Sequence, residues 1–229
     1  MTLPFVPPAG ASTPGFQPVS LRARLRADTR AAHDRLDALL SGADLSHRLG
    51  LAHFLHAQKH GFDCLALLSD PADPPQTAPV VTALRANLRA DLDFLGLGRG
   101  EGDLVAADDQ SGAPTGTVKK SSGQRNLLAS AAVDYIVLGS GLGAAVLRKR
   151  WLRASDPSLH GAGGFLTAER SVDDWKALVI RLDGLPGTGA GADRAVADAA
   201  RIFGFFSDGW EDFDRAKASE VAQTGIGLR

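Results

Sequence analysis

Apolar positions from about residue 20 onward recur at steps of three and four, a spacing that predicts helices. The first helix covers about 20–41, with Ser20 placed to cap it and Leu21, Leu25, Ala32, Leu36, Leu39 and Leu40 in one stripe. Gly42 stands where a C-terminal stop belongs. The second runs from about Ser46 to Leu68, buries Phe54, Leu55, Phe62 and Leu65, and is broken by the run PADPPQTAP. A third covers about 79–96, a fourth about 125–153 and, after a glycine-rich connection at 160–164, a fifth opens at Ser171 and closes near Asp183 and Gly184. The sixth occupies about 192–217 and carries Ile202, Phe203, Phe206 and Trp210. No alternating strand and no internal repeat interrupts the pattern, so the class is all-α and the chain reads as one multi-helical domain over 20–218. The proline-rich residues 1–19 read as a flexible tail, 97–123 as a long loop and 219–229 as a C-terminal tail.

Composition narrows the function classes. With 25 Lys plus Arg against 26 Asp plus Glu, the near-neutral balance favours neither nucleic acid nor an anionic membrane as partner. The single cysteine, Cys64, excludes an intrachain disulfide and fits a reducing compartment. The longest apolar run, residues 135–147, falls short of the roughly 20 residues a bilayer span needs. The first 18 residues lack the basic and apolar regions of a secretory signal. The expectation is a cytoplasmic protein with no membrane span.

Three constellations are candidates for chemistry. Residues 130–152 contain Gly139, Gly141 and Gly143, each costing about 1 kcal/mol against alanine inside a helix. Gly139 and Gly143 share a face, so backbone there is bared either to a neighbouring helix or to a flat ligand. The run GSGLGA also matches a dinucleotide fingerprint, but the second strand that fold needs is missing downstream. His33 lies on the stripe of the first helix, with Arg26 two turns earlier on nearly the same face. It reads either as a buried core histidine or as a neutral axial ligand to haem iron. His53, His56 and His60, with His47 and Asp63 nearby, have spacings that suit a metal, but a solvated polar face is the favoured reading. Arg148, Lys149, Arg150 and Arg153 suit the negative end of the fourth helix or an acidic redox partner. Lys176 and Arg181 flank an apolar set and are surface charges or carboxylate clamps.

Three segments together resemble the haem oxygenase family, in particular its bacterial, biliverdin-producing branch. LRADTRAAHDRLD is similar to the proximal helix, DYIVLGSGLGAAVL to the distal helix and AARIFGFFSDGW to the aromatic cluster of the last helix. The resemblance implies a helical bundle with haem sandwiched between proximal and distal helices. It implies His33 as the iron ligand, Arg26 as a partner of a haem propionate, and Lys176 and Arg181 as looser propionate partners. It further implies Gly139, Ser140 and Gly143 over the distal face, with Tyr135 at the haem edge. Where bacterial relatives commonly read G-S-R-L-G-G, this chain reads G-S-G-L-G-A, so Gly141 replaces a basic residue and Ala144 a glycine.

The activity implied by the resemblance is cleavage of haem b, at once substrate and cofactor, to biliverdin, carbon monoxide and ferrous iron. It consumes O2 and electrons from a ferredoxin or an NAD(P)H-linked reductase. A bacteriophytochrome is an expected recipient of the product. The altered distal sequence keeps a second expectation open, a helical protein that binds haem or another tetrapyrrole without turning it over. A purely structural helical protein, with histidine and glycines as packing devices, is the third.

Overall fold

The computed structural model describes residues 19–97, 127–154 and 156–223. Among them the chain is helical and contains no strand, only the isolated bridges Ser20–Pro186 and Ser69–Leu128. The elements are α1 (Leu21–Asp28), α2 (Arg30–Ser41), α3 (Arg48–Leu68), α4 (Ala78–Phe94), α5 (Ser130–Ala154), a 3-10 helix (Pro157–Ala162), α6 (Gly164–Thr167), α7 (Val172–Asp183) and α8 (Ala190–Gln223). All but a fringe of the 1–19 tail and the 97–123 loop lies outside the described residues.

The first helix is divided rather than continuous. Buried Thr29 donates its Oγ1 to the Leu25 carbonyl at 2.7 Å, competing with the backbone ladder, and α1 gives way to α2 there. Ser20 caps α1 through Ala23 N–H and Ser171 caps α7 through Asp174 N–H, as their positions predict. The expected glycine-rich connection is instead two short helical pieces. Buried Asp91 on α4 accepts the N–H groups of Gly164 and Phe165, both at 2.8 Å, and so caps α6 from another helix. Burial pushes the Asp91 carboxyl up, against the pull of those two hydrogen bonds. The C-terminal tail expected from residue 219 begins later, because α8 continues to Gln223.

The bundle is built on α3 and α8. His53 lies level with Trp210 and Phe213 while Gly61 lies level with Phe206, so the two helices run antiparallel. A Cβ at Gly61 would collide with the Phe206 ring, and one at Gly209 would come within 2.6 Å of His60 Cβ. These two glycines let the helices approach. α4 covers the other side of α3, while α1, α2 and α5 pack on α8. α7 joins the start of α1 to the start of α5.

The α3–α8 seam corrects the expectation of a solvated histidine face. The His53 ring stacks on Trp210 at 3.5 Å between centroids, and its Nε2 is 2.9 Å from the Trp210 carbonyl. His56 Nδ1 donates to the Gly209 carbonyl at 3.1 Å, and His60 Nδ1 lies 3.7 Å from Asp212. The trio serves helix packing, and no group of three metal-ligating side chains occurs among the described residues.

A second correction concerns α5. The helix over Ser130–Arg153 is 24 residues long and its most apolar 18-residue window has a mean hydropathy of 1.6, so it meets the length and composition of a bilayer span, as the core helix of a soluble protein also can. Its first half is a core helix, with Ala132, Val133, Ile136, Val137 and Leu138 buried. Asp134, 1% exposed, holds Thr77 N–H and Oγ1 at 3.0 and 2.9 Å and the Arg181 guanidinium at 2.8 Å.

Burial is the main force lowering the His56 pKa from its usual 6.5, helped by His60 and Lys59 and opposed by the Gly209 carbonyl and Asp212. Below that usual value the unfolded chain takes up a proton that folded His56 resists. Its contribution to stability is therefore complete above pH 6.5 and is lost as pH falls toward the folded value. Thermal unfolding between pH 5 and 8 should show this decline, and H56N, which keeps a donor for Gly209, should flatten it. An unchanged slope in H56N would contradict the assignment.

Candidate functional site

The walls of the site are α1–α2 on one side and α5 on the other. On α1–α2, Arg26, His33, Asp37 and Ser41 follow at steps of seven, four and four, which places them on one face. On α5, Tyr135, Gly139, Gly143 and Arg150 share a face by the same rule. The two walls are joined by hydrogen bonds at one end and feel each other's charge at the other. Arg26 and Arg22 lie near enough to the Tyr135 hydroxyl to pull its pKa down, against the larger upward push of burial. Fifteen residues further along each wall, Arg150 Nη1 and Nη2 donate to the carbonyls of Ser41 and Ala43, each at 2.9 Å. The two walls therefore run parallel, in register, over about 22 Å.

That register sets His33, seven residues beyond Arg26, level with Gly141–Gly143. His33 is not a buried core histidine: its side chain is 53% exposed, with only the edge of Phe203 beneath it at 5.6 Å. Nδ1 lies 3.4 Å from Asp37 and 3.6 Å from Asp34, and no hydrogen bond engages Nε2 among the described residues. On the opposite wall, a Cβ built on Gly143 meets nothing within 4 Å. Next to it Val146 is 69% exposed. His33 and Gly143 are thus each uncovered on their own helices. Two solvent-open hollows of ≈ 490 and ≈ 380 Å³ lie elsewhere, beside the starts of α5 and α8 and beside the start of α3 with the 3-10 helix.

The three glycines have three different surroundings. A Cβ on Gly139 would sit at ordinary contact, 3.5 Å, from the Trp175 ring, which also packs on Tyr135. Gly141 faces away from the groove, and a Cβ there would stand 2.8 Å from Arg170 Cδ. Only Gly143 is bare. Tight helix–helix packing through a small-residue face accounts for none of them.

Ser140 is exposed but turns its hydroxyl back to the Val137 carbonyl at 2.8 Å. Lys176 is exposed and paired with Asp173 of its own helix at 3.0 Å. Arg181 is engaged by Asp134 at 2.8 Å, which accounts for it as a structural cation. The structure places Arg26 and His33 on α1–α2 and Tyr135, Gly139 and Gly143 on α5, and gives Lys176 and Arg181 other partners.

Sequence reasoning missed Arg170. Its aliphatic stem crosses Gly141 and its guanidinium stacks on Phe165 at 5.1 Å, with Nε and Nη1 buried and unpartnered among the described residues. Burial lowers its pKa to about 10. It fills the space that a side chain at position 141 would take, and no local pattern announces it.

No protein-family model matches this chain, and no curated protein sequence does.

The contact between Gly141 and Arg170 is testable by a double-mutant cycle. G141A alone should destabilise the protein despite the roughly 1 kcal/mol helix preference for alanine. In an R170A background the same change should stabilise by about that amount. Additive effects in urea unfolding would contradict the contact.

Proposed function

We propose that this chain is a haem-degrading enzyme of the haem oxygenase kind, cleaving haem with O2 and external electrons to biliverdin, carbon monoxide and ferrous iron. The observations that carry the reading are an exposed imidazole on α2, His33, and a single uncovered glycine on α5, Gly143. A buried glycine that admits a neighbour is commonplace, but Gly143 costs helix stability and a Cβ there would meet nothing within 4 Å among the described residues. Its space suits a planar ligand lying on the peptide groups.

The residues present fit haem. Asp37 beside His33 Nδ1 orients the ring and leaves Nε2 for the iron, the arrangement that fixes a ligating histidine. Arg26, at the end of the groove near Tyr135, offers a cation for a propionate carboxylate. With no side chain at Gly143, the backbone of α5 there lets a flat ligand approach closely. Haem supplies the oxygen chemistry, and the chain supplies orientation, polarity and exclusion of one face from solvent. A soluble reductase or ferredoxin is the donor this reading requires.

A second reading, haem or tetrapyrrole binding without turnover, draws on Ser140. Its hydroxyl proton is committed to Val137, and no carboxylic acid stands on the glycine face of α5 to organise proton delivery.

Hemin titration followed by a reductant separates these readings. The enzyme reading expects a Soret band that forms at one equivalent and then decays to biliverdin-like absorbance. H33A should abolish turnover while the apoprotein keeps its helical circular dichroism and melting temperature. A stable Soret band with ample electrons would support the binding reading, and no titration at all would overturn both.

A further inference from the structure

We propose that Arg150 is a latch that sets the width of the α2–α5 groove and governs how fast a ligand held there leaves; the ligand part of this inference rests on the haem reading above. α2 ends without a basic residue in its last turn, so its terminal carbonyls and the negative end of its dipole lack a local counter-charge. Arg150 supplies one from the opposite wall. Its two donors reach Ser41, the last residue of α2, and Ala43 in the turn that follows, and among the described residues these are the only hydrogen bonds joining that end of α2 to α5.

The surroundings make this a latch rather than a general packing contact. At the other end of the groove the walls are locked through α7. Arg22 pairs with Asp183 at 2.8 Å, Leu21 N–H donates to Leu185 at 2.9 Å, and Arg181 pairs with Asp134. Between the two ends His33 is half exposed and Gly143 is uncovered, so side-chain packing does not fix the spacing there. The far half of α5 is seated on the bundle through Trp151, 1% exposed, whose ring lies against Gly163 and His160. Trp151 is one residue from Arg150 and so about 100° around the helix from it. Beyond that seat, the Arg150 bonds are what hold the end of α5 toward the end of α2. Because both acceptors are backbone carbonyls, the latch depends on Arg150 alone.

The test has two arms. In the first, hemin is transferred from the holoprotein to apomyoglobin, and the rate reports release. R150Q should raise the release rate about tenfold, and R150K, which keeps the charge but not the two-pronged donor, by about threefold. The second arm uses no haem. Spin labels at A38C and K149C, in a C64S background, report the distance between the walls. That distribution should be narrow with Arg150 and should broaden to longer distances in R150Q. If R150Q fails to fold, R150K carries both arms. A release rate within twofold of the parent, or an unchanged distance distribution, would overturn the latch. A parent protein that takes up no hemin, with labels that still move apart in R150Q, would leave the latch standing and remove the haem reading.

Discussion

The groove exists because two parallel helices are tied at both ends and left unpacked between. Fifteen residues separate Arg26 from Ser41, and fifteen separate Tyr135 from Arg150. Equal spans on two helices of equal rise keep the walls in register. His33 and Gly143 then fall near the middle of their respective walls. A shift of one residue in either wall would turn its face by about 100° and replace the open strip with helix–helix contact.

What keeps that space from collapsing is the fixation of α5 elsewhere. Asp134 is buried with three hydrogen bonds, one of them from an arginine, so the helix start cannot slide without stranding a charge. Arg170 lies across Gly141 on the far side, and Trp151 is sunk near the C-terminal end. The apolar length of α5 is spent on this role in its first half. In the second half the same apolarity leaves Val146 and Leu152 exposed beside the basic residues that close the helix. An apolar wall that is held away from its opposite number is a suitable surface for an apolar plane with charged edges.

The helices themselves were legible from period and caps. Ser20, Ser171 and Gly184 act where their chemistry places them, and the all-α class follows from spacing alone. The short helices near residues 157–167 were not legible, since the cap that makes α6 is Asp91, more than seventy residues away. The histidine trio was misread as solvated because its partners, Gly209, Trp210 and Asp212, belong to α8. His33 was legible as a candidate, and its exposure removes the buried-core reading. Arg181 could not be separated from a surface clamp by sequence, since its partner Asp134 lies in an apolar run. Arg150 read as one of four dipole-facing cations, and only the fold showed which carbonyls it serves.

The central claim is that Gly143 is kept bare for a ligand rather than for the fold. G143A tests it most directly, by thermal unfolding of the apoprotein alongside hemin titration. The account expects opposite signs: the apoprotein gains about 1 kcal/mol, a rise of roughly 2–4 °C, while hemin affinity and turnover fall. A variant that is more stable and binds and converts hemin as the parent does would contradict it.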